Sequence, residues 1–73
     1  MTTSELLSLF TLHISMIPKS FNRQLMYSNA DYVRGEVSLA LMLGMIKYDD
    51  FTRVNKEIQT EVESYLNKES GNA

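Results

Sequence analysis

A chain of 73 residues has room for one small domain, which must either pack its elements tightly or lean on another chain to be stable. The absence of cysteine and the presence of a single histidine, His13, exclude disulfide staples and leave zinc without its usual ligand set. A hydrophobic content of 44% predicts a folded chain, and a formal net charge of -2 offers no general attraction to nucleic acid or to an anionic membrane.

The charge is uneven. Through Gly35 there are three basic residues (Lys19, Arg23, Arg34) and two acidic ones (Glu5, Asp31), whereas from Glu36 onward four basic residues face seven acidic ones. Any anion-seeking surface is therefore expected in the first half.

Thr2 followed by Glu5 fits the capping box that starts a helix, and Leu6, Leu7, Phe10, Ile14 and Ile17 continue at helical spacing. From Phe10 to Met16 the residues also alternate apolar and polar, as in a half-buried strand. Helix is preferred, because the cap favours it and no second strand is available for pairing. A signal peptide is disfavoured by Glu5 and the lack of early positive charge, and the apolar run falls short of the ~20 residues a spanning helix needs. The segment is read as core, and the protein as cytoplasmic with no membrane contact.

Pro18 is expected to end this helix near Ile17. Phe21, Leu25 and Met26 then suggest a short second helix within Lys19 to Tyr27, closed by the polar cluster Ser28, Asn29 and Asp31. From Ala30 to Leu43 a third helix is predicted. Val33, Val37, Ala40 and Leu41 occupy one side of it, and Tyr32, Leu39 and Leu43 the neighbouring side. So wide an apolar arc implies a central helix contacted on two sides. Gly35 within it invites a close helix crossing or is simply tolerated.

Gly44 is placed to take the left-handed conformation that ends a helix, with Met45 or Ile46 folding back. Asp49 and Asp50 then fall in the first turn of a last helix, where unpaired amides favour negative charge. That helix carries Phe51, Val54, Ile58, Val62 and Tyr65 opposite a charged face, and should fray after Leu66. The expectation is an all-α fold: a compact bundle of three to four helices with a C-terminal antiparallel helical hairpin. Residues 1–66 form one domain and 67–73 a flexible tail.

Within the hairpin, Gly44, Ile46, Asp50, Phe51 and Ile58 resemble the core of the short C-terminal domain family known as SHOCT. Lys47 and Tyr48 depart from its pattern, standing where a serine or threonine cap and an acid are usual. The resemblance covers about a third of the chain and implies a helical contact surface, associated with oligomerisation and with no catalysis. It is also the pattern that any well-formed helical hairpin requires.

His13 is the obvious candidate base, and Ser15, Asp31 or Glu36 could stand beside it, but nothing at helical spacing supplies a carboxylate. It is read as a partly buried or surface histidine. There is no phosphate loop and no metal-ligand cluster, so no enzyme, cofactor or metal is expected. A DNA-binding helix-turn-helix is the alternative, since Ala40 and Gly44 match the small-residue spacing at its turn. Its apolar offsets would fall on Lys47, Asp50 and Arg53, and its reading helix would present Asp49, Asp50, Glu57 and Glu61 to phosphates. Nucleic acid is therefore disfavoured.

Five methionines and four tyrosines are adaptable contact residues. Arg23, Met26, Tyr27, Tyr32, Arg34 and Tyr48 have the composition of a partner-binding hot spot. The function expected is a small protein-interaction module: a regulator, inhibitor or adaptor of bacterial, phage or plasmid type. It would bind and occlude a partner protein or form a homo-oligomer such as a dimer.

Overall fold

A computed structural model describes residues 1–71, and every regular element in it is helical. The elements are α1 (Thr3–Ser15), a 3₁₀ turn (Ile17–Lys19), α2 (Arg23–Met42) and α3 (Tyr48–Gly71).

The capping box at the start of α1 forms in both directions. Thr2 Oγ1 accepts from the Glu5 amide at 3.1 Å, and Glu5 Oε1 accepts from the Thr2 amide at 2.8 Å. Helix resolves the alternation in Phe10 to Met16 as expected, because Leu6, Phe10 and Ile14 turn inward together while Leu12 and Met16 turn out. The 3₁₀ turn then begins at Ile17, which is fully buried, and Pro18 occupies its first positions.

Two expectations about helix limits are corrected. The polar cluster Ser28, Asn29 and Asp31 does not separate two helices, and α2 passes through it unbroken for 20 residues. Its start is set instead by Asn22, whose side chain accepts from the Leu25 amide at 2.8 Å. The polar cluster fits inside a helix because its side chains point outward, two of them to partners: Asn29 donates to Ser20 Oγ at 2.9 Å, and Asp31 accepts from Arg34 at 3.0 Å. Ala30 between them is completely buried. At the other end, α3 continues past Leu66 to Gly71, and the segment expected as a tail is helical that far. Glu69 supplies a reason, since it accepts from Arg23 Nε at 2.9 Å and ties this last turn to the start of α2. Asn72 and Ala73 lie outside the described residues.

Gly44 ends α2 as anticipated, at φ 72°. Its amide donates to Leu41 O at 3.0 Å and the Met45 amide to Ala40 O at 2.9 Å, the paired bonds of a Schellman turn. The chain then reverses direction. Arg23 meets Glu69 and Arg34 meets Gln59, so early α2 lies beside late α3. Before α3 the Lys47 amide donates to Asp50 Oδ2 at 3.2 Å, which gives the acidic first turn a concrete partner.

The core is a single apolar cluster, and among the described residues no polar side chain is buried. Met26, Ala30, Val33, Val37 and Ala40 of α2 recur at steps of four and three, and Val54, Ile58 and Val62 of α3 face them. Phe10, Ile14 and Ile17 close the third side. Both α1 and α3 pack on this arc, and Leu39, Met42 and Leu43 remain outside it.

Two glycines make opposite predictions. Gly44→Ala forces a side chain into a left-handed conformation and is expected to cost about 1 kcal/mol. Gly35→Ala meets nothing within 4 Å in mid-helix and is expected to gain up to about 1 kcal/mol. Urea unfolding of both variants in dilute solution checks the opposite signs.

The Glu5 carboxyl is held below its usual range by the Thr2 amide first and the Thr2 hydroxyl second. A depressed carboxyl stabilises the fold above its unfolded value and loses that contribution as pH falls through its folded value. Helicity measured by circular dichroism on acidification should therefore fall at the start of α1, and Glu5→Gln should remove that part of the transition.

Candidate functional site

The six residues expected to bind a partner do not form one patch. Met26 has 0% exposure and belongs to the core, so it is corrected from contact residue to packing residue. Arg23 is bound to Glu69, whose hydrogen bond and charge hold the guanidinium pKa above its ordinary value. Arg34 donates to Asp31 at 3.0 Å and to Gln59 at 3.2 Å, bridging α2 to α3. Tyr48 is exposed at the turn and lies 5.9 Å from the Phe51 ring centre. Tyr27 and Tyr32 are five residues apart on one helix and so point about 140° away from each other. Only Tyr32 stands on the side of α2 where other large apolar side chains are exposed.

That side carries a pattern of its own. Leu25, Asn29, Tyr32, Glu36, Leu39 and Leu43 follow steps of four and three, the first five each one residue ahead of a member of the buried series and Leu43 at the C-cap. The two stripes are therefore about 100° apart around α2. The inner one is covered, while in the outer one Tyr32 is 66%, Leu39 55% and Leu43 64% exposed. Exposed Met16, at the end of α1, borders it beside Tyr32, and Met45 borders it from the turn. Leu39, Leu43 and Met45 line a groove whose floor is Leu6, Phe10 and Ala40. The sequence reading placed Leu39 and Leu43 on a second covered side of α2; among the described residues Leu6 and Phe10 reach that side only as the floor of the groove, and both leucines stay more than half exposed.

His13 has a partner that the sequence did not reveal. Its Nδ1 lies 2.7 Å from Glu36 Oε1, and its ring meets Tyr32 edge-on at 6.4 Å between centroids. The pair joins α1 to α2 across 23 residues of sequence. A search at helical spacing within α1 could not find it. The small hollow beside it, about 160 Å³, is lined by His13, Met16, Asn29 and Tyr32. That is below the ~300 Å³ at which small-molecule pockets begin.

A larger groove of about 480 Å³ runs between α1 and α3, lined by Thr11, Ile14 and Ser15 on one wall and Arg53 to Glu61 on the other. It contains helix-surface charges and no histidine. Among the described residues no three His, Cys, Asp or Glu side chains gather to hold a metal, and no helix is long and apolar enough to cross a membrane.

No protein-family model matches the chain, and no curated protein or solved structure matches it either. The likeness to the SHOCT family thus rests on the residues quoted above and carries no assignment.

A double-mutant cycle with His13→Ala and Glu36→Ala, read by urea unfolding, tests the link between α1 and α2. The pair is a quarter exposed on each side. A coupling of about 0.5–1 kcal/mol is expected.

Proposed function

We propose that this chain is a non-enzymatic protein-interaction module, a regulator, inhibitor or adaptor, that works through the exposed outer stripe of α2 and the adjoining edge of α1. The observation that carries this reading is a row of exposed apolar residues on α2 that the core does not use. The core closes without Leu25, Tyr32, Leu39 and Leu43, yet these share one row of α2, with Met16 beside Tyr32 and Met45 beside Leu39 and Leu43. Single exposed apolar residues are ordinary, whereas a contiguous set marks a contact surface.

The compact bundle, with α2 and α3 as its hairpin, acts in this reading as a rigid scaffold. A helix face held rigid loses little conformational freedom on docking and covers what it touches, which is how such a module would occlude a partner. Arg23 and Arg34, the surface on which a DNA-associated role would have rested, are engaged by Glu69, Asp31 and Gln59.

The test uses immobilised chain challenged with cell lysate and, separately, with a generic DNA duplex at low salt. Protein retained by the wild type and by Glu57→Lys on α3, but lost with Leu39→Glu, is the expected result. Equal retention by Leu39→Glu removes the face from the mechanism. Micromolar duplex binding that falls steeply with salt would overturn the protein-contact reading in favour of nucleic acid.

A further inference from the structure

We propose that Phe21 is a docking anchor: a fixed aromatic knob that enters an apolar pocket on a partner protein, the pocket being rimmed by carboxylates that meet Lys19 and Arg23. This rests on the interaction reading above and adds a point of contact ahead of the α2 row, with the chemistry of what receives it.

Phe21 is 90% exposed, more than any other large hydrophobic residue among those described. It stands between the 3₁₀ turn and α2, one position before the cap Asn22, and not inside a helix as its spacing suggested. An apolar residue at that position ordinarily folds onto the fourth residue of the helix and staples the entry of the chain. Here the fourth residue is Met26, which is 0% exposed and enclosed within the core cluster. The staple is therefore not made, and the fold makes no use of the ring.

The backbone on both sides of the ring is nevertheless held. Before it, the Ser20 amide donates to Ile17 O at 3.2 Å and Ser20 Oγ donates to the same carbonyl at 2.8 Å. Asn29 reaches back from α2 to Ser20 Oγ at 2.9 Å, and Ile17 itself is fully buried. After it, Asn22 Oδ1 accepts from the Leu25 amide at 2.8 Å and Asn22 O from the Met26 amide at 2.9 Å. A ring carried on a held backbone gives up little freedom on docking, and a buried aromatic anchor is what dominates many interfaces. The knob is convex, so its complement is a pocket.

Charge defines the rim of that pocket. The chain has no acidic residue between Glu5 and Asp31, and the charges nearest Phe21 in sequence are Lys19 and Arg23, one on either side. Lys19 is exposed. Arg23 gives Nε and Nη2 to Glu69 and still stays 62% exposed. Carboxylates around the pocket complement this pair, whereas a basic rim would oppose like charges. An anionic bilayer would also attract cations beside an aromatic ring. Yet a single myristoyl chain holds a protein to a bilayer only marginally, and one phenyl ring offers less apolar surface than that. A pocket that encloses the ring is the better match.

The experiment uses the full chain with Phe21→p-benzoylphenylalanine, irradiated in cell lysate. One protein should be cross-linked, at a peptide that combines apolar residues with Asp or Glu. The same protein should be captured by the wild type and by Phe21→Trp, lost by about 30-fold with Phe21→Ser, and weakened by Lys19→Glu, with helicity by circular dichroism unchanged in each. No adduct, capture indifferent to Phe21→Ser, or a cross-linked site without carboxylates would overturn the proposal. Vesicles of phosphatidylcholine and phosphatidylglycerol supply the lipid arm. The chain has no tryptophan, so emission from Phe21→Trp reports that position alone, and a blue shift on adding vesicles would replace the pocket by the bilayer. Loss of the captured protein with Leu39→Glu but not with Phe21→Ser removes the knob and leaves the α2 row standing. Loss with Phe21→Ser but not with Leu39→Glu keeps the knob and removes the row. If neither variant loses it, both fall.

Discussion

One side of α2 holds this fold together. Met26, Ala30, Val33, Val37 and Ala40 form the buried arc on which both α1 and α3 pack, and three of the five belong to the largest fully buried side chains. The arc exists only because α2 is continuous. A break at Ser28 would rotate Met26 out of line with Val33 and separate the turn at Gly44 from the contact between Arg23 and Glu69. The capping bond at Asn22 and the Schellman turn at Gly44 therefore act together: they fix where the helix begins and ends, and so which residues enter the arc.

A chain of this size is stabilised by only about 4–11 kcal/mol, and no disulfide contributes. It nevertheless leaves several of its largest apolar side chains outside the core. Their exposure cannot be charged to a shortage of partners in general, since smaller residues such as Ala30 and Val62 are fully enclosed. The inner and outer stripes of α2 share the same spacing one residue apart. A helix patterned on two adjacent sides is suited to a core on one and a contact on the other. Association through the outer side would add to folding stability by mass action, the remedy a small chain without staples has available.

Much of the architecture was readable from local chemistry. The capping box at Thr2 and Glu5, the left-handed Gly44, the acidic first turn of α3 and the stripe Val54, Ile58 and Val62 each follow from rules that act within a few residues. The misreadings came where longer-range contacts decide. Ser28, Asn29 and Asp31 resemble a helix boundary in sequence, but Asn29 and Asp31 find side-chain partners, Ser28 faces outward, and the helix continues. Asn67 to Gly71 lack apolar periodicity, yet Glu69 reaches an arginine 46 residues away. The candidate surface was harder. Composition drew attention to tyrosines and arginines, whereas the informative signal was a second four-three series in α2, which separates Tyr32 from Tyr27 and joins it to Leu25, Leu39 and Leu43.

The pairing of His13 with Glu36 bears on the same surface. A carboxylate in the middle of an apolar stripe is costly to cover unless it keeps a hydrogen-bond donor. His13 Nδ1 provides one from α1, at 2.7 Å and partly buried. The histidine also touches Tyr32, the stripe's aromatic residue, and thereby fixes where α1 borders the face. The pair thus ties α1 to α2 at the edge of the exposed row.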